Sequence, residues 1–227
     1  MKLLIDSANI EDIKHIYRYY PVDGVTTNPS ILLKAGKEPY ACLDEIVGFF
    51  KEMDIKHYDF HVQVVNTEAK AMVEEAKRIV DKYGPDTYVK IPAVEEGIYA
   101  ISLLSAEGYN TTATAIYNAH QAYLAGKAGA AYVAPYVNRM TKLYGDGVEV
   151  VYKIMVIFQN NQMPTKILGA SFKTPEQLTD LAEIGVDAAT VPSDLIKKLL
   201  DDKDVNDAIA KFNDDFHKLC NDKKATM

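Results

Sequence analysis

The chain has 227 residues, 48% of them hydrophobic, enough to bury one large core, and no Pro-, Gly- or Ser-rich tract divides it. A net charge of −7 and a pI near 5.3 argue against a surface that neutralises nucleic-acid phosphates, which needs clustered Lys and Arg. The two cysteines, Cys42 and Cys220, have no metal-type spacing and allow at most one disulfide, which predicts a reducing, cytoplasmic setting.

Met1 leads directly into a strand at 2–6, Lys2-Leu-Leu-Ile-Asp6, without the basic and long apolar stretches of a signal peptide or membrane span. No membrane partner is expected. Ile10, Ile13, Ile16, Tyr17 and Tyr20 then share one helix face, with Asn9 placed to cap it and Asp12 in its first turn. Further β-branched or apolar runs follow at 22–26, 59–65, 87–91, 109–114, 131–136, 166–170 and 187–191, each succeeded by helical spacing. Thr67 predicts the start of one helix, which Gly84 and Pro85 end. A helix over 95–106 stops at Gly108, and one near 118–128 stops at Gly129, a residue suited to the left-handed cap. Thr174-Pro175-Glu176-Gln177 supplies an N-cap, a proline at the first helical position and a glutamine at the third. The last stretch, 205–220, carries Ile209, Phe212, Phe216 and Leu219 at helical spacing. This additional amphipathic helix is either a lid on the chain's own helices or a contact with a neighbouring subunit.

Strict alternation of short strands with helices implies parallel pairing, because each crossover returns the chain to the same edge. Eight such units predict an α/β fold, a (β/α)8 TIM barrel over 1–227 in a single domain, with the extra C-terminal helix at about 205–220. An open doubly wound sheet is the alternative, but no Gly-rich first turn of the dinucleotide-binding kind is present.

In a parallel barrel the C-terminal strand ends open on one face. Asp6, Asn28, Gln63, Lys90, Thr114, Tyr136, Arg139 and Ser171 all stand at or just after strand ends. Singly each has an ordinary explanation: Asp6 caps a turn, Asn28 makes an Asx-turn before Pro29, Thr114 suits a strand, Tyr136 packs in the core. Together they predict one composite site. Lys90 ends the run Thr87-Tyr-Val-Lys-Ile-Pro92 among apolar neighbours, and burial disfavours a charged amine, leaving free amine for attack on a carbonyl. The resulting iminium draws electrons from the adjacent carbon–carbon bond, so cleavage needs no metal. The structural alternative is an ion pair between Lys90 and Asp6.

His15, His57, His61, His120 and His217 form no His-x-x-x-His helix pair or Cys-His cluster. His57 and His61 lie four apart, but His61 falls in a strand. No metal and no cofactor is predicted. Arg139, after the sixth strand, and Ser171 and Lys173, before the helix opened by Thr174, are placed to receive a phosphate, with solvated surface charge as the alternative for Lys173. A small phosphorylated carbonyl compound is the predicted substrate.

The segments Val25-Thr-Thr-Asn-Pro-Ser30, Val89-Lys-Ile-Pro92, Tyr132-Val-Ala-Pro-Tyr-Val-Asn-Arg139 and Ala170-Ser-Phe-Lys-Thr174 resemble the small transaldolase family, most closely its fructose-6-phosphate aldolase branch. The resemblance implies a barrel in which Lys90 is the Schiff-base nucleophile and Asp6 assists proton transfer and orients bound hydroxyls. It implies donor-hydroxyl binding by Asn28, with Thr26 and Thr27 supporting the loop, and phosphate binding by Arg139, Ser171 and Lys173. It also implies a homo-oligomer, a pentamer that stacks into decamers, with the C-terminal helix reaching a neighbour. Transaldolases typically carry Glu at the position of Gln63 and Phe at that of Tyr136, so both match the aldolase branch; Thr114 suits either. Gln63, Thr114 and Tyr136 are then placed to hold a water beside the Schiff base. The chain departs from its relatives at Thr141, often acidic, and at Thr112, often apolar. Three readings remain: an aldolase cleaving fructose 6-phosphate to dihydroxyacetone and glyceraldehyde 3-phosphate, a transaldolase passing the three-carbon unit to erythrose 4-phosphate, and a non-catalytic phosphosugar-binding barrel.

Overall fold

The computed structural model describes residues 1–220, so 221–227 of the expected domain range lie outside the described residues. Eight strands, β1 (Lys2–Asp6), β2 (Gly24–Thr26), β3 (Asp59–Gln63), β4 (Thr87–Pro92), β5 (Thr111–Ile116), β6 (Tyr132–Pro135), β7 (Lys166–Gly169) and β8 (Ala188–Val191), pair in parallel in chain order. β1 also pairs with β8, closing the barrel. Around it run α1 (Ile10–Tyr19), α2 (Pro29–Ala35), α3 (Pro39–Glu52), α4 (Ala69–Tyr83), α5 (Glu95–Ala106), α6 (Ala119–Lys127), α7 (Val137–Tyr144), α8 (Gly147–Asn160), α9 (Pro175–Glu183), α10 (Ser193–Lys198) and α11 (Lys203–Cys220). The fold is the (β/α)8 barrel with a C-terminal helix that the alternation predicts.

Caps place most helix ends. The Asn9 side chain accepts from the Glu11 and Asp12 amides, and Thr174 accepts from Gln177. α4 corrects the start expected at Thr67. It begins at Ala69, Glu68 makes no side-chain cap bond, and the Glu96 carboxylate of α5 takes the Ala69 amide at 2.7 Å. β2, β6 and β8 are each followed by two helices, where the alternation suggested one. α11 does not act as a lid on its own barrel: it buries none of its residues, and Val205, Ile209, Phe212 and Leu219 are each more than half exposed.

The main core lies between barrel and helices. Outward residues Val25, Phe60, Val89, Ile91, Ala113 and Val133 pack there, and Tyr17, Phe49, Phe50 and Tyr58 form an aromatic cluster, with Phe50 and Tyr58 stacked at 3.9 Å. Strand β4 shows how alternation divides the labour: Val89 and Ile91 are fully buried on the outside, leaving Tyr88 and Lys90 to the interior. α5 approaches the end of β4 so closely that a Cβ on Gly97 would stand 1.9 Å from the Pro92 carbonyl oxygen. Only glycine fits there.

The barrel interior is unusually polar. At its base Lys2 Nζ donates to Asp59 at 2.8 Å, and the Tyr132 hydroxyl donates to the same carboxylate at 3.4 Å. One layer higher, His61 is fully buried, stacked on Tyr88 at 4.6 Å, with Nδ1 3.0 Å from the Thr112 hydroxyl. Thr112 thus partners a buried imidazole. Burial holds His61 well below the usual histidine range, with the Lys90 and Lys2 charges adding to the effect.

A group whose folded pKa is depressed binds its proton first in the unfolded chain, so His61 makes stability fall as pH drops below about 6.5. Urea unfolding from about pH 7.5 to about pH 5 should show this loss, bounded by about 1.4 kcal/mol per pH unit for one proton. His61→Leu should flatten that part of the profile. Parallel profiles for the two proteins would mean that the imidazole titrates alike folded and unfolded.

Candidate active site

β1, β3, β4, β5 and β8, with the segments that follow β2, β6 and β7, line one cavity of about 520 Å³ at the C-terminal mouth of the barrel. Asp6, Asn28, Gln63 and Lys90 line one part of it, and Tyr136, Arg139, Ser171 and Lys173 another. Eight of the eleven sequence-predicted side chains therefore meet. The other three stand behind the wall. Thr26 is fully buried and donates its hydroxyl to Asp6 at 2.7 Å; Thr27 is fully buried, its hydroxyl on the His61 carbonyl; the Thr114 hydroxyl lies 3.2 Å from that of Tyr136. Thr26 and Thr27 thus support the site through other groups.

Lys90 is 4% exposed, and its Nζ donates to the Thr27 carbonyl at 2.9 Å. Among the described residues no salt bridge joins it to Asp6, as the ion-pair alternative required. Burial lowers the Lys90 pKa from its ordinary value, with the Asp6 charge opposing. Burial likewise raises that of Asp6, against Lys90, the Thr26 hydrogen bond and Lys34. Desolvation thus drives both members of the pair toward their neutral forms. A free amine beside a carboxyl that can hold a proton is suited to attack on a carbonyl and to the proton transfers that follow.

Gln63 pairs in register with Lys90 across β3 and β4, and Lys90 with Thr112 across β4 and β5. The Asn28 Oδ1 accepts from the Ile31 amide at 3.0 Å, so the ordinary capping explanation holds for that oxygen. Its Nδ2, a donor, is left for the cavity. Ser171 takes a φ of 62°, which is strained for a residue with a Cβ, and its carbonyl accepts from the Asn138 amide at 3.1 Å. The cavity mouth carries Arg139, Lys173 and Lys34 in a protein of net charge −7. That local excess favours an anionic substrate end.

Thr141 takes no part in the cavity wall. Its hydroxyl donates to the Val137 carbonyl at 3.0 Å and accepts from the Gly147 amide at 3.1 Å, tying α7 to α8. A second groove, of about 710 Å³, adjoins the cavity at Pro29 and Gln63 but is lined mainly by apolar side chains such as Leu32, Leu43 and Ile79. It is the larger of the two, yet it lacks the lysine and the convergent polar groups. Among the described residues no cluster of three or more His, Cys, Asp or Glu could hold a metal, and no helix is long and apolar enough to cross a membrane.

The model of the transaldolase/fructose-6-phosphate aldolase family matches residues 3–226. The chain belongs to this family. The match covers the whole barrel, and the family is one of enzymes that act on phosphorylated sugars. It includes both aldolases and transaldolases.

Three residues of the site lie outside the eleven expected from the sequence, and two of them, Thr190 and Lys34, are in the cavity wall. Thr190, at the inward end of β8, meets the same strand-end criterion as the others, and its hydroxyl lies 2.6 Å from that of Thr26. Lys34, on α2, carried no signal, because nothing in the sequence shows that this turn overhangs the barrel mouth. Tyr117 stands beside the wall, where its hydroxyl accepts a hydrogen bond from the Arg139 guanidinium.

Proposed function

We propose that this protein is a metal-free Schiff-base aldolase that reversibly cleaves fructose 6-phosphate to dihydroxyacetone and glyceraldehyde 3-phosphate. The observation that carries this reading is the buried Lys90, lowered in pKa, in one cavity with Asp6 and an anion-attracting rim. The Lys90 amine attacks the C2 carbonyl, and loss of water gives the iminium. Asp6 takes the proton of the C4 hydroxyl as the C3–C4 bond breaks, its electron pair flows to the iminium, and the aldehyde phosphate leaves. Protonation of the enamine at C3 and addition of water at C2 then free dihydroxyacetone and restore the amine. Asn28 orients the donor hydroxyls, and Arg139, Ser171 and Lys173 receive the phosphate.

The fate of the enamine separates aldolase from transaldolase. Gln63 in the wall and the Thr114–Tyr136 hydroxyl pair are polar, uncharged groups suited to a water beside Lys90, which supports hydrolytic release over waiting for a second aldehyde. For the assembly we propose a homo-oligomer, supported by the exposed apolar residues of α11, which find no burial on their own barrel; a cytoplasmic setting is part of the same proposal.

The deciding experiment incubates the protein with fructose 6-phosphate and a chelator, with and without erythrose 4-phosphate. Free dihydroxyacetone without acceptor is the expected result. Sedoheptulose 7-phosphate formed only with acceptor would make the protein a transaldolase, and no product in either tube would sink both readings.

A further inference from the structure

β5 is the irregular strand of the barrel. Its pairing with β6 shifts register between Ala113 and Ile116, and Ala115, in the cavity wall, takes a φ of 57°. An extra residue bends a strand and re-aims the side chains that follow, and such irregularities gather beside active sites. The side chain re-aimed here is Tyr117.

Two independent sets of contacts hold it. The Tyr117 amide donates to Gln121 Oε1 at 2.9 Å, and the Gln121 amide donates to Asn118 Oδ1 at 2.9 Å, which fixes the segment against the first turn of α6. The Tyr117 hydroxyl accepts from the Arg139 guanidinium. The guanidinium carbon lies 4.7 Å from the Tyr136 ring centre and 5.9 Å from that of Tyr117, and the two rings meet at 5.6 Å and 60°. Arg139 is exposed, and a free arginine of that kind samples many rotamers. Here one N–H of five is engaged by Tyr117, and the others remain for an anion.

We propose that Tyr117 is the positioning residue of the phosphate wall: the β5 irregularity and the α6 cap aim its phenol so that Arg139 is set for a substrate phosphate before binding. The inference rests on the reading of Arg139 as a phosphate ligand. Tyr117 does not line the cavity, and the proposed reaction assigns it no proton transfer. Its effect falls on selectivity, since only a phosphorylated aldehyde uses Arg139.

The test compares addition of dihydroxyacetone to glyceraldehyde 3-phosphate and to glyceraldehyde, for the wild type and Tyr117→Phe. The variant keeps the ring, so packing is retained and a thermal melt verifies the fold. The KM for the phosphorylated aldehyde should rise about tenfold with little change in kcat, as loss of a hydrogen bond to a charged group implies. Glyceraldehyde should change by less than about twofold. An unchanged preference, or equal losses on both aldehydes, would overturn the proposal. Arg139→Met separates the two layers. If it abolishes the preference while Tyr117→Phe retains it, the Tyr117 inference alone fails; if it too retains the preference, the phosphate reading of Arg139 fails. Calorimetry with inorganic phosphate reads the same wall without turnover. Binding should weaken in both variants, and equal affinity in wild type and Tyr117→Phe would again overturn the proposal.

Discussion

Lys90→Met should abolish turnover, lowering kcat for fructose 6-phosphate by about 10⁵-fold or more, the order expected when a covalent nucleophile is removed. Borohydride added to the wild type with dihydroxyacetone should leave a stable adduct on Lys90, and the variant should take up none. Methionine fills the apolar volume without an amine, so the Thr27 carbonyl loses its donor while the core packing stays close to native. Turnover retained in the variant would remove Lys90 from the chemistry. A wild type that binds phosphosugar without adduct or turnover would leave the non-catalytic barrel standing.

The pH dependence of adduct formation follows from the same burial. Because the Lys90 pKa is lowered, its free amine, and with it the trapping rate, should rise through a range below the ordinary lysine value of 10.5. Asp6 opposes that lowering, so Asp6→Asn should move the rise to still lower pH even as it slows cleavage. A shift toward higher pH would contradict the electrostatic relation between the two groups.

Tyr136→Phe should lower release of free dihydroxyacetone by about 10²-fold, within the range for loss of a positioned general acid–base group, and raise transfer to erythrose 4-phosphate. The phenyl ring can still lie beside Arg139, whose guanidinium carbon is 4.7 Å from the ring centre, so the phosphate wall should survive. What disappears is the hydroxyl that meets Thr114 at 3.2 Å. An unchanged partition between release and transfer would show that this hydroxyl has no part in choosing the fate of the enamine.

Much of the site was legible because a parallel barrel turns a one-dimensional rule into a place. A polar residue at the end of an apolar strand must face the mouth, and Asp6, Gln63 and Lys90 obey that rule. The same rule applies to Thr190, near the end of β8. It was less informative for threonine, which is common in strands: Thr26 and Thr114 stand at strand ends but act behind the wall, through Asp6 and Tyr136. Tyr117 and Lys34 escaped for a different reason. The φ of Ala115 and the overhang of α2 depend on contacts between units far apart in the chain.

By itself the sequence determined the eightfold alternation, the helix caps at Asn9 and Thr174, and the buried lysine, because periodicity, turn chemistry and burial of an amine are local properties of residue order. Tertiary structure alone decided that α4 is capped by Glu96 from the next unit, that His61 and Thr112 pair inside the barrel, and that α11 stands away from its own core. Each of these joins or separates groups distant in the chain, and side-chain spacing cannot encode which surfaces meet once the barrel has closed.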